Sequence, residues 1–88
     1  NYIEGDCIFQ KNQFLWLKVM FRLDRNNSSI DSKAVRGFRT AMRGHADKGV
    51  LITTNTFTMD AKWEATRKDV LPIKLIDRFK LIEMINKL

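Results

Sequence analysis

The sequence has few of the residues that small domains use for cross-linking or metal binding. It contains one cysteine, Cys7, and one histidine, His45. A single cysteine cannot form an internal disulfide, which favours a reducing compartment and predicts a cytoplasmic protein. Because there is no second histidine, we expect His45 to lie half-buried on the apolar side of a helix rather than to bind a metal. No apolar run approaches the ~20 residues that a membrane-spanning helix requires, so no membrane span is expected.

The chain does contain enough apolar side chains for one small globular domain. Hydrophobic residues make up 44% of the sequence and charged residues 30%, a globular rather than a disordered composition. No repeat, low-complexity segment or linker divides it, so residues 1–88 are predicted to form a single domain. The sequence begins with Asn1 rather than methionine, and we expect it to be a fragment or a processed piece.

The charge is unbalanced. Sixteen lysines and arginines against ten acidic residues give a net charge of +6. This sign favours a polyanionic partner, with nucleic acid as the first candidate and an anionic membrane surface as the second.

The most regular stretch runs from residue 14 to residue 24. Its odd positions are all apolar, and its even positions carry mixed side chains: Trp16, Lys18, Met20, Arg22 and Asp24. A period of two predicts a strand with one buried face and one mixed face. The mixed face is either an ordinary solvated surface or the place where chemistry occurs.

The remaining patterns predict the order strand, strand, helix, strand, helix, strand, helix. Strands are predicted over residues 2–10, 14–24, 50–54 and 73–76, and helices over residues 32 to about 46, 59 to about 69, and 78–88. Because strand–helix–strand crossovers are almost always right-handed and parallel, the last three strands should run parallel and the first antiparallel to them. The prediction is an α/β fold, a mixed sheet with helices on both faces.

Four segments carry a resemblance to a known family. They are residues 34–42 (AVRGFRTAM), 46–54 (ADKGVLITT), 57–61 (FTMDA) and 73–77 (IKLID). In order and spacing they resemble the catalytic domain of the Mrr-type restriction endonucleases, a branch of the PD-(D/E)xK nuclease superfamily. The resemblance implies a restriction-endonuclease-like fold, DNA as partner and endodeoxyribonuclease activity dependent on Mg²⁺ or Mn²⁺. The family's N-terminal helix is missing here, as a truncated chain would explain.

The resemblance implies an active site on the N-terminal hairpin. The family carries an aspartate on the first strand and Gln/Glu-x-Lys on the second. The acidic groups hold a metal that activates water, and the lysine orients that water or stabilises charge on the phosphate. Asp6 matches the aspartate and would be the metal ligand, with Glu4 on the same face as the alternative.

The second-strand motif can be placed in two registers. Counting back from Ser32 without a gap places it on Arg22-Leu23-Asp24, which replaces both functional residues. A hairpin turn at Lys11-Asn12 instead sets Asp6 opposite Leu17.

That hairpin register places the motif on Trp16-Leu17-Lys18. Lys18 is then kept and Trp16 replaces the metal-side residue. We favour Lys18, because asparagine suits the turn at Lys11-Asn12. In either register one group of the family's site is missing, so the active site is expected to be partly degenerate.

A stripe of basic residues is predicted on the first helix. Arg36, Arg39 and Arg43 share the side opposite the apolar residues, with Lys48 nearby. These side chains either contact DNA phosphates or form a solvated helix face.

On the next helix, Met59 and Trp63 are expected to form an exposed patch, which suggests a homodimer contact or an additional domain.

Three classes of function follow. The first is a metal-dependent DNA endonuclease of restriction type with a partly degenerate site. The second is a DNA-binding module of the same fold that does not cleave. The third is a protein-interaction domain whose positive charge is incidental. Trp16 argues against the first, and the arginine stripe against the third.

Overall fold

The fold is a four-stranded sheet with three helices, given by a computed structural model that describes residues 2–88. The elements are β1 (Tyr2–Asn12), β2 (Leu15–Asp24), α1 (Ser32–Met42), β3 (Lys48–Thr53), α2 (Met59–Ala65), β4 (Ile73–Ile76) and α3 (Arg78–Asn86). All seven predicted elements are present in the predicted order. The strand over residues 73–76 has the predicted bounds.

The sheet is mixed, as predicted. Its strand order is β1-β2-β3-β4; β1 pairs antiparallel with β2, whereas β2–β3 and β3–β4 are parallel. Pairing between β2 and β3 begins at Val19 with Lys48, so the start of β2 extends past β3 as part of a projecting hairpin. This restriction-endonuclease-like α/β architecture matches the predicted fold class.

Helix α1 ends earlier than the sequence suggested. Its N-cap is Asp31, whose Oδ1 accepts a hydrogen bond from the N–H of Ala34 at 3.0 Å. Its C-cap is Arg43, and Gly44 then adopts a left-handed φ of 76°, a conformation that glycine reaches without steric cost. His45 therefore lies outside the helix and is exposed, so the prediction of a half-buried helical histidine is wrong.

The core forms where α1 lies on the sheet. Phe38 and Met42 are completely buried and pack over Gly49 at the start of β3. A methyl group at Gly49 would lie 2.5 Å from Met42 Sδ and 2.7 Å from Phe38 Cε2. The helix can approach the sheet this closely only because position 49 has no side chain.

Arg39 lies in the contact between α1 and α2, and only 4% of it is exposed. Its guanidinium donates to Glu64 Oε2 at 2.6 Å, to the Glu64 carbonyl at 2.8 Å and to the Leu71 carbonyl at 3.0 Å. The prediction that Arg39 belongs to an exposed basic stripe is therefore wrong. The packing of α2 against α1 turns this position towards α2, where Glu64 and two carbonyl groups satisfy its charge and its donors.

The carboxylate of Glu64 has further partners. Arg36 and Arg67, both more than half exposed, donate to it at 3.3 Å and 3.0 Å. Burial raises the pKa of Glu64, but hydrogen bonds from Arg67, Arg39 and Arg36 lower it by more, so the pKa lies below its ordinary value of 4.5. Glu64 is therefore ionised in the folded protein at neutral pH.

We predict that Glu64→Gln destabilises the domain in a pH-dependent way. The amide cannot replace the charged bonds to the arginines, so the variant should unfold at a lower urea concentration at pH 7. Because the folded-state pKa is depressed, this stabilisation is present above the unfolded pKa and is lost as the pH falls through the folded value. The difference in the urea midpoint of unfolding between wild type and variant should therefore narrow below about pH 4.5.

The control for this experiment is Glu83→Gln. Glu83 pairs with Lys80 and Lys87 on the exposed surface of α3, so this change should have little effect at any pH. If the difference in urea midpoint between wild type and Glu64→Gln stays constant down to pH 2, the Glu64 charge does not have the role described.

Candidate active site on the hairpin

The hairpin turn lies at Gln13-Phe14. Asn12 pairs with Leu15, and Asn12 Oδ1 accepts a hydrogen bond from the N–H of Phe14 at 2.9 Å. Asparagine thus favours the turn, as predicted, but it does so from the residue before the turn, through its side-chain oxygen. The predicted turn at Lys11-Asn12 is wrong.

The register of the hairpin changes as a result. An irregularity between Gln10 and Asn12 inserts Lys11 as an extra residue, and Asp6 lies opposite Met20 rather than Leu17. A bulge of this kind shifts every pair beyond it. Asp6 is therefore diagonal to both Lys18 and Arg22, the two basic residues of that strand face.

Arg22 is bound directly to Glu4, its cross-strand partner. Its Nε and Nη2 donate to Glu4 Oε2 at 2.9 Å and 2.6 Å. The guanidinium also lies over the rings of Tyr2, at 4.5 Å, and Phe38, at 5.1 Å. Its side chain is only 20% exposed, so Arg22 is held in place by one charge and two aromatic faces.

Asp24 follows on the same strand face. Its Oδ1 is buried and has no hydrogen-bond partner among residues 2–88. Its β3 neighbour is Thr53, which is completely buried. A buried carboxylate oxygen without a donor costs free energy, and such atoms are uncommon in folded proteins. The Oδ1 atom of Asp24 is therefore an unsatisfied acceptor within residues 2–88.

Asp6 and Lys18 line one cavity of about 220 Å³ between the hairpin and the turn after α1. Its walls are Asp6, Cys7, Ile8, Lys18, Gly44 and His45. The backbone of Lys18 is fixed by Asp47: the Lys18 N–H donates to Asp47 Oδ2 at 2.9 Å, and the Asp47 N–H donates to the Lys18 carbonyl at 2.8 Å. His45 also lines this cavity, although the sequence pattern predicted that it lies within the helix. Gly44, the residue before it, was the sequence signal that the helix ends there.

The residues present do not fit a firmly held divalent cation. Among residues 2–88 no group of three or more histidine, cysteine or acidic side chains is arranged to hold one. Glu4 is engaged by Arg22, and Trp16 lies opposite Gln10, four positions along the hairpin from Asp6. Hard cations such as Mg²⁺ need oxygen ligands, and several carboxylates make such sites strong. Asp6 alone does not supply this.

The other predicted site residues lie apart from the hairpin cavity. Arg36, Arg43 and Lys48 are exposed, whereas Arg39 is buried against Glu64.

Across residues 2–88, no helix has the length and apolar character needed to cross a membrane.

Comparison with known proteins identifies the family. Residues 4–85 match the family model of the Mrr catalytic domain, described as restriction endonuclease. The chain belongs to the Mrr-type restriction endonuclease family, a family of DNA nucleases that are generally dependent on divalent metals. No curated protein sequence matches the chain.

A solved structure shares the fold. The chain is similar to the DNA modification-dependent restriction endonuclease AspBHI, with a TM-score of 0.68 and 20% sequence identity. The match covers 96% of this chain and 22% of that one. The chain thus spans about a fifth of the length of AspBHI, and the likeness supports the fold alone.

The hairpin register can be tested by cross-strand disulfides in a Cys7→Ser background. Ile8 and Lys18 are paired and exposed, so Ile8→Cys with Lys18→Cys should oxidise to an intramolecular disulfide, seen by mass spectrometry of the oxidised protein. The matched control is Ile8→Cys with Leu15→Cys, the pair that the Lys11-Asn12 turn would bring together. Cysteines offset along the strands cannot reach disulfide geometry. Cross-linking of the control pair in preference to the first would contradict the observed register.

Proposed function

We propose that this domain binds DNA through its basic surface and that its phosphodiester cleavage is weak or absent. The observation that carries the proposal is the ion pair of Arg22 with Glu4 on the hairpin face. It places a fixed positive charge where a metal-binding site needs open carboxylates. Membership of the restriction endonuclease family supplies DNA as the ligand class.

The DNA-binding surface proposed here comprises Arg36, Arg43 and Lys48. Their exposure and the net charge of +6 support contacts with phosphates. Arg36 also pairs with Glu64 at 3.3 Å but remains 53% exposed, so its guanidinium can still reach solvent. Arg39 is excluded because its donors are bound inside the protein.

Asp6 and Lys18 remain the proposed catalytic residues, with Arg22 and Asp24 as the alternative register. The hairpin register no longer favours Lys18, because Asp6 lies opposite Met20 and diagonal to both Lys18 and Arg22. The cavity that Asp6 and Lys18 line together supports the first pair. Mg²⁺ or Mn²⁺ is the metal that any cleavage would require, and Asp6 is the carboxylate open to bind it. One carboxylate binds such an ion weakly, which is the physical reason to expect little activity.

The second candidate function is a protein-interaction module. Met59 and Trp63 on α2 are 59% and 66% exposed, as expected from the sequence, and they support contact with a second copy of the chain or with another domain. The free Cys7 is consistent with the cytoplasmic location proposed for the protein.

DNA binding should be tolerant of sequence and sensitive to salt. If about three phosphates are contacted, the logarithm of the affinity should fall with the logarithm of salt concentration at a slope near −3. The triple variant Arg36→Ala, Arg43→Ala, Lys48→Ala should bind more weakly and with a flatter slope, as measured by fluorescence anisotropy with duplex DNA in EDTA.

The matched control also removes three positive charges. It is Lys68→Ala, Lys80→Ala, Lys87→Ala, at exposed positions outside the proposed surface. This variant should retain most of the wild-type slope. An equal loss in both variants would mean that net charge acts without a defined surface. Absence of binding at low salt would favour the protein-interaction module.

Cleavage should be weak in every version of the protein. In a plasmid-nicking assay we expect little product with Mg²⁺ from wild type, and DNA binding retained by Asp6→Ala. Robust Mg²⁺-dependent nicking that Asp6→Ala and Lys18→Ala both abolish would show an intact enzyme with its site at these residues. Robust nicking that survives both changes would place the site elsewhere.

A further inference from the structure

Strand β4 forms the edge of the sheet on the side away from the hairpin, since it comes last in the strand order. The Gly49 N–H donates to the Pro72 carbonyl at 2.9 Å, and Gly49 pairs with Ile73. In this parallel register Lys74 bonds to β3 through both its N–H and its C=O. The backbone groups of Ile73 and Leu75 therefore point outward, where residues 2–88 supply no strand to pair with them.

A cleft of about 360 Å³ opens along this edge. Its apolar lining is Phe57, Ala65, Ile73 and Leu75, of which the first three are buried and Leu75 is half-buried. Clefts of this size that combine apolar side chains with a few polar groups are typical binding sites. The cleft can therefore take up apolar side chains of a ligand that lies along β4.

Three exposed lysines from three elements surround the cleft: Lys62 on α2, Lys74 on β4 and Lys80 in the first turn of α3. Within residues 2–88, Lys62 and Lys74 form no ion pair, and Lys80 lies 3.6 Å from Glu83. The acidic residue in the lining, Asp77, caps α3, and its Oδ1 accepts the Lys80 N–H at 2.9 Å. The side chains around the cleft are thus positive in balance and suit an acidic ligand.

We propose that β4 binds an extended acidic segment of a partner protein, which adds a strand to the sheet. The outward N–H and C=O groups of Ile73 and Leu75 pair with the backbone of that segment. Its apolar side chains enter the cleft, and its acidic side chains pair with the lysines. This inference does not depend on DNA binding by the domain.

Charge and shape favour this partner over the other macromolecules. A second copy of the chain carries the same net charge of +6, so two lysine-rich edges would repel each other. DNA phosphates could pair with the lysines. They would leave the apolar lining and the outward backbone groups of β4 without a partner.

The test measures binding of a short fluorescein-labelled peptide that alternates glutamate and valine, by fluorescence anisotropy on the full chain. Its comparison is a peptide that alternates lysine and valine. The glutamate peptide should bind at least about tenfold more tightly, because like charges placed together at an interface are unfavourable. Equal affinity for the two peptides would overturn the proposal.

The lysines are tested by the triple variant Lys62→Gln, Lys74→Gln, Lys80→Gln. It should bind the glutamate peptide about tenfold more weakly than wild type, because three exposed ion pairs are lost. Undiminished binding by this variant would show that the peptide does not occupy the cleft.

The matched control removes three positive charges at exposed positions outside the cleft. It is the triple variant Lys11→Gln, Lys33→Gln, Lys87→Gln. This variant should keep the wild-type affinity for the glutamate peptide. An equal loss in both triple variants would mean that net charge alone attracts the peptide, and the proposal would be wrong.

The added strand is tested through the peptide backbone. Two glutamate peptides are methylated on alternate backbone nitrogens, one on the odd residues and one on the even residues. Because alternate residues of a strand face β4, one methylated peptide should lose binding and the other should keep it. Equal effects of the two would overturn strand addition.

The variant Leu75→Pro removes an outward N–H from β4 itself. Proline is tolerated on an edge strand where the N–H faces away from the sheet, so the variant should fold, as circular dichroism will show, and should bind the glutamate peptide poorly. Folded Leu75→Pro with wild-type affinity would contradict the proposal. The methylated peptides carry the test if this variant does not fold.

The remaining partners are distinguished with the same proteins. Duplex DNA that displaces the glutamate peptide and loses affinity in the Lys62, Lys74, Lys80 triple variant would assign the cleft to nucleic acid. Self-association of the chain in analytical ultracentrifugation that Leu75→Pro abolishes would assign the edge to a second copy. Either result would overturn the proposal. Peptide binding by a domain that fails to bind DNA would support it and refute the proposed function.

Discussion

The position of the candidate site depends on how Glu64 fixes helix α1. The buried Arg39 guanidinium binds Glu64 at 2.6 Å and also the Leu71 carbonyl, which precedes β4. Phe38, the neighbouring residue on α1, packs onto the sheet and lies under the guanidinium of Arg22 at 5.1 Å. Two successive residues of one helix therefore connect the contact between the helices with the hairpin face. Removing Glu64 would leave a buried arginine without its carboxylate, which is strongly destabilising.

The sequence was sufficient for the order and topology of the elements. Periodicity and capping residues are local signals, and the observed N-caps Thr58 and Asp77 are of residue types that favour this position. The crossover rule then determined the parallel strands. Arg39 could not be placed in the same way. A helical wheel separates one apolar side from the rest, and an arginine that pairs with Glu64, 25 positions away along the chain, looks like a solvated one.

The hairpin register shows a different limit. Alternation of apolar residues fixes a register only where one face is strongly buried, but β1 is an edge strand in which most residues are exposed. The observed register instead depends on one side-chain hydrogen bond of Asn12 and on Lys11 as an extra residue. Both are small local effects that the hydrophobic pattern does not record. Asp6 is therefore paired with Met20 and not with Leu17 as predicted. The observed strand boundaries differ little from the predicted ones.

The packing of the core does not involve the carboxylates of the hairpin. The core around Phe38, Met42 and Gly49 lies between α1 and the sheet, so the fold does not require the carboxylates of a metal site. On the hairpin, the cross-strand ion pair of Glu4 with Arg22 contributes about 0.2–1 kcal/mol of stabilisation. The architecture of the domain therefore does not depend on the residues that would hold a metal.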